Sequence, residues 1–95
     1  MDKKIAFLGT PNFAVPILKS IHQSNHKITC VFSQPPRKSN RGHKLNKSPI
    51  HLLSEQLGIE IKTPENIEKE IDYIKSLNLD LAIVVAYGQI LSKDI

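Results

Sequence analysis

The stretch Ile5-Ala-Phe-Leu-Gly-Thr-Pro-Asn-Phe-Ala-Val-Pro16 narrows the folds open to this chain more than any other. Ile5 to Leu8 is continuously apolar, without the polar alternation of a half-exposed strand, as expected for a strand covered on both faces of a parallel sheet. Gly9 ends it. Ala14, Ile17, Leu18 and Ile21 then recur at i, i+3, i+4 and i+7, one apolar stripe on a helix that lies back on the sheet. Pro16 has no N–H and a fixed φ, so it belongs in the first turn. The helix therefore begins no earlier than about Phe13, with Asn12 as its N-cap. Its N-terminus aims at the carboxyl end of the first strand, where open α/β sheets bind ligands. Gly9 stands alone, so the G-x-G-x-x-G of a dinucleotide site is missing, as is the lysine pattern of a P-loop. A ligand-free strand-to-helix turn fits the same spacing.

The remainder repeats the alternation of strand and helix. Ile28-Thr-Cys-Val-Phe32 is β-branched and aromatic and reads as the second strand. Ser48 as N-cap and Pro49 at the first helical position open a second helix, with Ile50, Leu53 and Leu57 on one face and Gly58 as its stop. Ile59 to Ile61 is a short third strand. Pro64 forces a turn, after which Asn66 caps a helix bearing Ile67, Ile71, Ile74 and Leu77. Glu65, Glu68, Glu70 and Asp72 crowd its first turns, where the helix dipole favours them. Leu79 to Ala86, interrupted only by Asp80, reads as a buried fourth strand. The sum is an α/β, Rossmann-like parallel sheet of order 3-2-1-4 with right-handed crossovers and helices on both faces. Strands one and four flank the switch in winding, which brings Gly9 to Asn12 and Tyr87 to Leu91 to one crevice. Ala86-Tyr-Gly-Gln-Ile-Leu91 offers that crevice an apolar wall and free backbone groups rather than catalytic side chains.

Ninety-five residues, 40% of them hydrophobic, allow one small core. No apolar run has the length of a signal-peptide core or a membrane span, so a soluble, cytoplasmic protein is expected. The single cysteine, Cys30, lies in the second strand, where a small buried hydrophobe is its expected role. His22 and His26 are four apart, but no carboxylate or thiolate completes a zinc set, and no metal is expected. Residues 1–52 carry nine Lys or Arg against one acid, and residues 53–95 carry four against eight. That asymmetry points to an anionic partner for the first half, nucleic acid foremost, although solvated lysines would produce it too.

Much of the positive charge sits between Ser33 and Lys47, where apolar periodicity stops. This segment has two prolines, one glycine, Arg37, Lys38, Arg41, Lys44 and Lys47, together with His43 and no acid. A long loop without secondary structure is expected, either a solvated insertion or an arm that meets phosphates. In the second case Arg41, beside Gly42, can press its guanidinium against a backbone or a splayed base.

Leu8-Gly-Thr-Pro-Asn-Phe-Ala-Val-Pro16 resembles the amino-terminal signature of the methionyl-tRNA formyltransferases, within the formyltetrahydrofolate-dependent formyltransferase superfamily. Gln34-Pro35, Arg37, Arg41-Gly42, Lys44-Leu45 and Ser48-Pro49 resemble that family's Q-P-D-R-P-x-G-R-G-K-K-L-x-x-S-P-V insertion, which enters the acceptor stem of the initiator tRNA. Pro36 stands where the family has Asp, Lys38 where it has Pro, Asn40 for Gly and His43 for Lys, with the charge retained. Val84 to Leu91 resembles the segment lining the pteridine pocket of formyltetrahydrofolate, and Ser92-Lys93 replaces a Pro-Lys pair.

The resemblance implies transfer of a formyl group from the co-substrate 10-formyltetrahydrofolate to the α-amino group of methionyl initiator tRNA, without a metal, a membrane or DNA. It places Tyr87, Gly88, Gln89, Ile90 and Leu91 at the folate, and Gly9, Thr10, Pro11, Asn12 and Phe13 at the substrate crevice. Arg37, Lys38, Arg41, Gly42, His43, Lys44 and Lys47 fall on the tRNA. The family's catalytic Asn, His and Asp lie downstream of Ile95, in an N-x-H segment and a later aspartate. No catalytic residue is therefore expected within this chain. Residues 1–95 read as the amino-terminal half of a truncated formyltransferase catalytic domain, with a basic insertion loop over 33–47. Two alternatives remain open. Another folate-dependent formyltransferase, acting on glycinamide ribonucleotide or a sugar nucleotide, needs no basic insertion after the second strand. A catalytically inactive RNA-binding remnant would look the same over these residues.

Overall fold

The computed structural model describes residues 3–38 and 45–89. Its centre is β1 (Lys4–Gly9), whose residues Ile5 to Gly9 are all buried. Both edges of this strand are bonded. On one side it pairs parallel with β2 (Lys27–Phe32), and on the other with β6 (Leu81–Val85). The outer strand on the β2 side is β5 (Ile61–Lys62), also parallel, so the sheet runs β5-β2-β1-β6. This is the expected order 3-2-1-4. A register shift between Ile5 and Ala6 leaves Thr29 without a partner across the β1–β2 ladder.

Strand pleating sends alternate side chains to opposite faces and so builds two apolar clusters. Phe7 and Val31 pack with Ala14 and Leu18 of the first crossover and with Ile50 and Leu53 of α2 (Pro49–Leu57). Ala6, Leu8, Cys30 and Phe32 face the other way, towards Ile67, Tyr73, Ile74 and Leu77, in and around α3 (Ile71–Ser76). Helices thus cover both faces. Full burial of each large side chain contributes on the order of 1.5–3 kcal/mol. Phe32 and Tyr73 meet edge to face with ring centroids 6.4 Å apart. Lys62 lies over the Tyr73 ring at 3.7 Å and binds Glu70 at 3.3 Å, which ties β5 to the α3 crossover.

The caps explain where helices start and stop. Ser48 Oγ accepts from the His51 N–H at 3.0 Å, Pro49 occupies the first turn, and Gly58 ends α2 in the left-handed region at φ 72°. Asn66 Oδ1 accepts from the Glu68 N–H at 3.0 Å, as a cap should, but what it caps is a 3-10 segment (Ile67–Glu70) that precedes α3.

Other boundaries differ from expectation. Asn12 is not an N-cap: residues Asn12–Ala14 form a 3-10 turn, and α1 (Val15–Gln23) follows without a side-chain cap. The tighter winding of that entry rotates the apolar stripe, so Val15 joins Ala14 and Leu18 against the sheet while Ile17 is 39% exposed. The third strand begins at Ile61 rather than Ile59 because the Ile59 N–H is still bonded to Ser54 O at the end of α2, and the bond from the Val31 N–H to Glu60 O then fixes the register. The fourth strand begins at Leu81, two residues later than expected, with Asp80 just before it. Asp80 Oδ2 accepts from the Lys4 N–H at 2.7 Å and the Asp80 N–H donates to Lys4 O at 2.9 Å. Nor is that strand buried: Leu81, Ala82 and Val84 are exposed, because β6 is the outer strand of the described sheet. Finally, the basic segment is not devoid of secondary structure. Its ends form an antiparallel ribbon of β3 (Arg37–Lys38) and β4 (Leu45–Asn46), with Arg37 opposite Asn46 and Lys38 opposite Leu45.

Gly9 shows how tightly the first crossover lies on the sheet. A Cβ there would fall 2.8 Å from Phe7 Cε1 and 3.1 Å from Val85 O. Both neighbours are held, one in the core and one in the ladder. Gly9→Ala is therefore expected to lower unfolding stability by roughly 1–3 kcal/mol, measured by urea denaturation with an unchanged m-value.

Candidate substrate crevice

Parallel register carries β1 and β6 to the same level, Gly9 opposite Val85, so the turns that follow them emerge side by side. Thr10 joins these turns through its hydroxyl. Its Oγ1 donates to Tyr87 O at 2.9 Å and accepts from the Gln34 N–H, just beyond β2, at 3.2 Å. Three strand ends thus meet on one hydroxyl, at the carboxyl edge where parallel sheets bind ligands.

The turn after β6 is held in an unusual shape. Ala86 has φ 50° and Gly88 φ 99°, and for a residue with a side chain the first costs about 1–2 kcal/mol. Gln89 braces it from below: its Oε1 accepts from the Ile67 N–H at 2.9 Å, and its Nε2 donates to Pro64 O at 3.0 Å and to Gln34 Oε1 at 3.1 Å. Tyr87 is only 1% exposed, and its phenol oxygen has no hydrogen-bond partner among the described residues. Burial, and then the negative charge of Glu70, pushes the Tyr87 phenol up to about 12. It stays neutral, and its ring packs into the core with Ala6, Leu8, Cys30, Phe32 and Ile67.

On the other side of the Thr10-Pro11 turn opens a cavity of about 300 Å³, bounded by Gln34-Pro35 and by Asn46, Ser48 and Pro49 at the root of the basic ribbon. That root is closed by Ser33 Oγ and Ser48 Oγ, 2.5 Å apart. Two further cavities, of about 350 and 410 Å³, lie elsewhere. The first runs along Asn78 to Ala82 on the α3 face, and the second along Lys27 to Thr29 and the C-terminal end of α2. The second sits at the amino end of β2, and the first spreads over the α3 face of the sheet from the start of β6 to Leu8 and Phe32 without taking in the turns after β1 and β6, so size does not make either the candidate.

The expected site residues divide as follows. Gly9 is buried and serves packing, Thr10 is half-buried, Pro11 lines the cavity, and Asn12 and Phe13 are exposed, Phe13 to 64%. Tyr87, Gly88 and Gln89 form the opposing turn, while Ile90 and Leu91 lie outside the described residues, as do Ser92 and Lys93. Arg37 and Lys38 are on the ribbon, and Arg41, Gly42, His43 and Lys44 also lie outside the described residues. Lys47 is engaged: its Nζ is 3.0 and 2.9 Å from the two carboxylate oxygens of Glu55. His26 Nδ1 accepts from the Lys3 N–H at 3.0 Å, and no metal-holding group of three His, Cys, Asp or Glu exists among the described residues. None of their helices is long and apolar enough to cross a membrane. Cys30 is buried, as expected, and burial raises its thiol pKa.

Sequence reasoning missed the side chains of Gln34 and Gln89, 55 positions apart and joined only by tertiary structure. It also missed the Lys47–Glu55–His51 group at the ribbon's root. The i, i+4 spacing of His51 and Glu55 was the one readable signal for the latter.

A parallel sheet of order β5-β2-β1-β6 with helices on both faces defines a Rossmann-like α/β fold. A family model described as formyl transferase matches residues 3–95, and the chain belongs to that family. It is similar to a methionyl-tRNA formyltransferase of Pelagibacter ubique, 54% identical over 99% of this chain and 31% of that protein. Proteins of the same name from Caulobacter vibrioides, 49% identical over 97% of this chain and 30% of the relative, and Acidiphilium cryptum, 46% over 96% and 31%, are also similar. The chain thus spans 30–31% of the length of these relatives.

His51 makes the ribbon's root sensitive to pH. Burial, opposed by Glu55 and aided by Lys47, lowers its pKa from the ordinary 6.5. A depressed folded-state pKa in a base means that the unfolded chain binds the proton more readily. Its stabilising contribution is complete above pH 6.5 and is lost as pH falls below that value. Hydrogen bonding to Lys47 holds the Glu55 carboxyl below its ordinary 4.5, so its own contribution disappears only at more acid pH. Thermal midpoints measured between about pH 7.5 and 5.5 should therefore decline, and His51→Gln should flatten that part of the curve.

Proposed function

We propose that residues 1–95 form the amino-terminal, donor- and tRNA-facing part of a cytoplasmic enzyme that moves a formyl group from 10-formyltetrahydrofolate to the α-amino group of methionyl initiator tRNA. The observation that carries this reading is the 54% identity, across 99% of the chain, to a relative named methionyl-tRNA formyltransferase. The geometry supports it by bringing the two binding elements together: the braced turn Ala86 to Gln89 and the basic ribbon rooted at Gln34 and Lys47 flank one edge of the sheet.

Attack of an amine on a formamide carbonyl requires removal of a proton and stabilisation of the developing oxyanion. The crevice side chains described above are committed otherwise. Thr10, Gln34 and Gln89 are spent on one another and on backbone groups, and Tyr87 is neutral and buried. What these residues supply is an apolar wall, the backbone of the Tyr87–Gln89 turn and positive charge along the arm. Catalytic Asn, His and Asp lie outside residues 1–95 in this reading. The basic insertion favours a tRNA acceptor over the smaller acceptors of other folate-dependent formyltransferases.

The test is a formylation assay of the full-length protein with charged initiator tRNA, coupled to tRNA binding across a salt series. An arm that engages about four phosphates should lose roughly a hundredfold in affinity between about 50 and 200 mM salt. Replacing Arg37, Arg41 and Lys44 together by Ala should weaken tRNA binding and flatten the salt slope while tetrahydrofolate binding is retained. Equal tRNA affinity for the triple variant and the parent would remove the arm from the mechanism. Absence of formyl transfer by the intact protein would favour an RNA-binding role without catalysis.

A further inference from the structure

Gln34 stands at the root of the basic arm, yet its contacts run towards the turn after β6. Its N–H donates to Thr10 Oγ1 at 3.2 Å, and its side-chain Oε1 accepts from Gln89 Nε2 at 3.1 Å. Its Nε2 fills the space beside Gly88, where an added Cβ would fall 2.5 Å away. The turn it touches contains two residues in the left-handed region, Ala86 and Gly88. Such backbone persists only where its surroundings over-determine it. Thr10 holds the Tyr87 carbonyl, and the Gln89 amide is fixed by Ile67 and Pro64 on one side and by Gln34 on the other. Gln34 is therefore the side-chain brace that reaches this turn from the β2 side.

We propose that Gln34 is a positioning residue for the formyl donor, holding the Tyr87–Gln89 backbone in the shape that meets the folate. The inference rests on the function proposed above and deepens it. Gln34 acts through the turn and leaves the chemistry to other groups. Its effect follows from preorganisation: if losing the brace leaves the binding-competent turn only a fraction populated, the donor's apparent affinity falls by that same fraction. An arm residue would then control donor affinity, and the tRNA, bound by charge, would be indifferent to it.

The experiment uses the full-length protein and titrates tetrahydrofolate and uncharged initiator tRNA separately. Gln34→Leu removes the acceptor for Gln89 and should raise the tetrahydrofolate Kd about fivefold, the effect of one hydrogen bond, with tRNA Kd within about twofold of the parent. Gln34→Glu keeps an acceptor for Gln89 Nε2 and should restore donor affinity. Leu53→Ala, in the cluster on the opposite sheet face, should lower Tm without moving the donor Kd, which separates positioning from general stability. Should Gln34→Leu fail to fold, Thr10→Val removes the other brace and should raise donor Kd in the same way, with Thr10→Ser as its rescue. A parental donor Kd in the brace variants, an equal rise in Leu53→Ala, or a parallel rise in tRNA Kd would overturn the inference alone. A parent protein that binds no tetrahydrofolate would overturn the proposed function as well.

Discussion

Everything in this chain hangs on burying β1 on both faces and bonding it along both edges. Ile5 to Gly9 have no route to solvent, so each neighbouring element is required to cover one side: β2 and β6 the edges, α1 and α2 one face, α3 the other. A strand inside a parallel sheet has no polar face to show to water, so β1 must be covered on both sides. The close approach at Gly9 is part of the same constraint. With no Cβ in the way, Phe7, Ala14 and the Val85 carbonyl come together, and the turn that follows is delivered to the carboxyl edge with little freedom.

That delivery places polar side chains where chemistry would be expected, and the structure spends them on architecture. Thr10 links the turns after β1, β2 and β6, Gln34 and Gln89 join the second and last of these, and the Ser33–Ser48 pair closes the base of the ribbon. Buried polar groups left unpaired cost free energy, so a network in which each member satisfies another is both stable and rigid. Its effect is to stiffen the backbone of the crevice. At the ribbon's root Lys47 is paired with Glu55, so its charge is balanced within the fold.

The fold order was legible from local pattern alone. Ile5 to Leu8, Ile28 to Phe32 and Leu79 to Ala86 are apolar or β-branched runs of strand length, and Ser48, Pro49 and Gly58 mark the ends of α2 by stereochemistry that needs no neighbour. Phase and exposure were not legible in the same way. Whether Ile17 or Val15 faces the sheet depends on the pitch of the entry turn, and Leu81 to Val85 reads as buried whether it lies in the middle of a sheet or at its outer edge. Of the crevice, the sequence by itself put Gly9 to Asn12 and Tyr87 to Leu91 at the carboxyl ends of the first and fourth strands, and the structure sets the described part of these, through Gln89, side by side. Only the tertiary structure decided that Thr10, Gln34 and Gln89 are one unit, because hydrogen bonds between residues 24, 55 and 77 positions apart leave no periodicity to read and exist only once the sheet has brought three strand ends together.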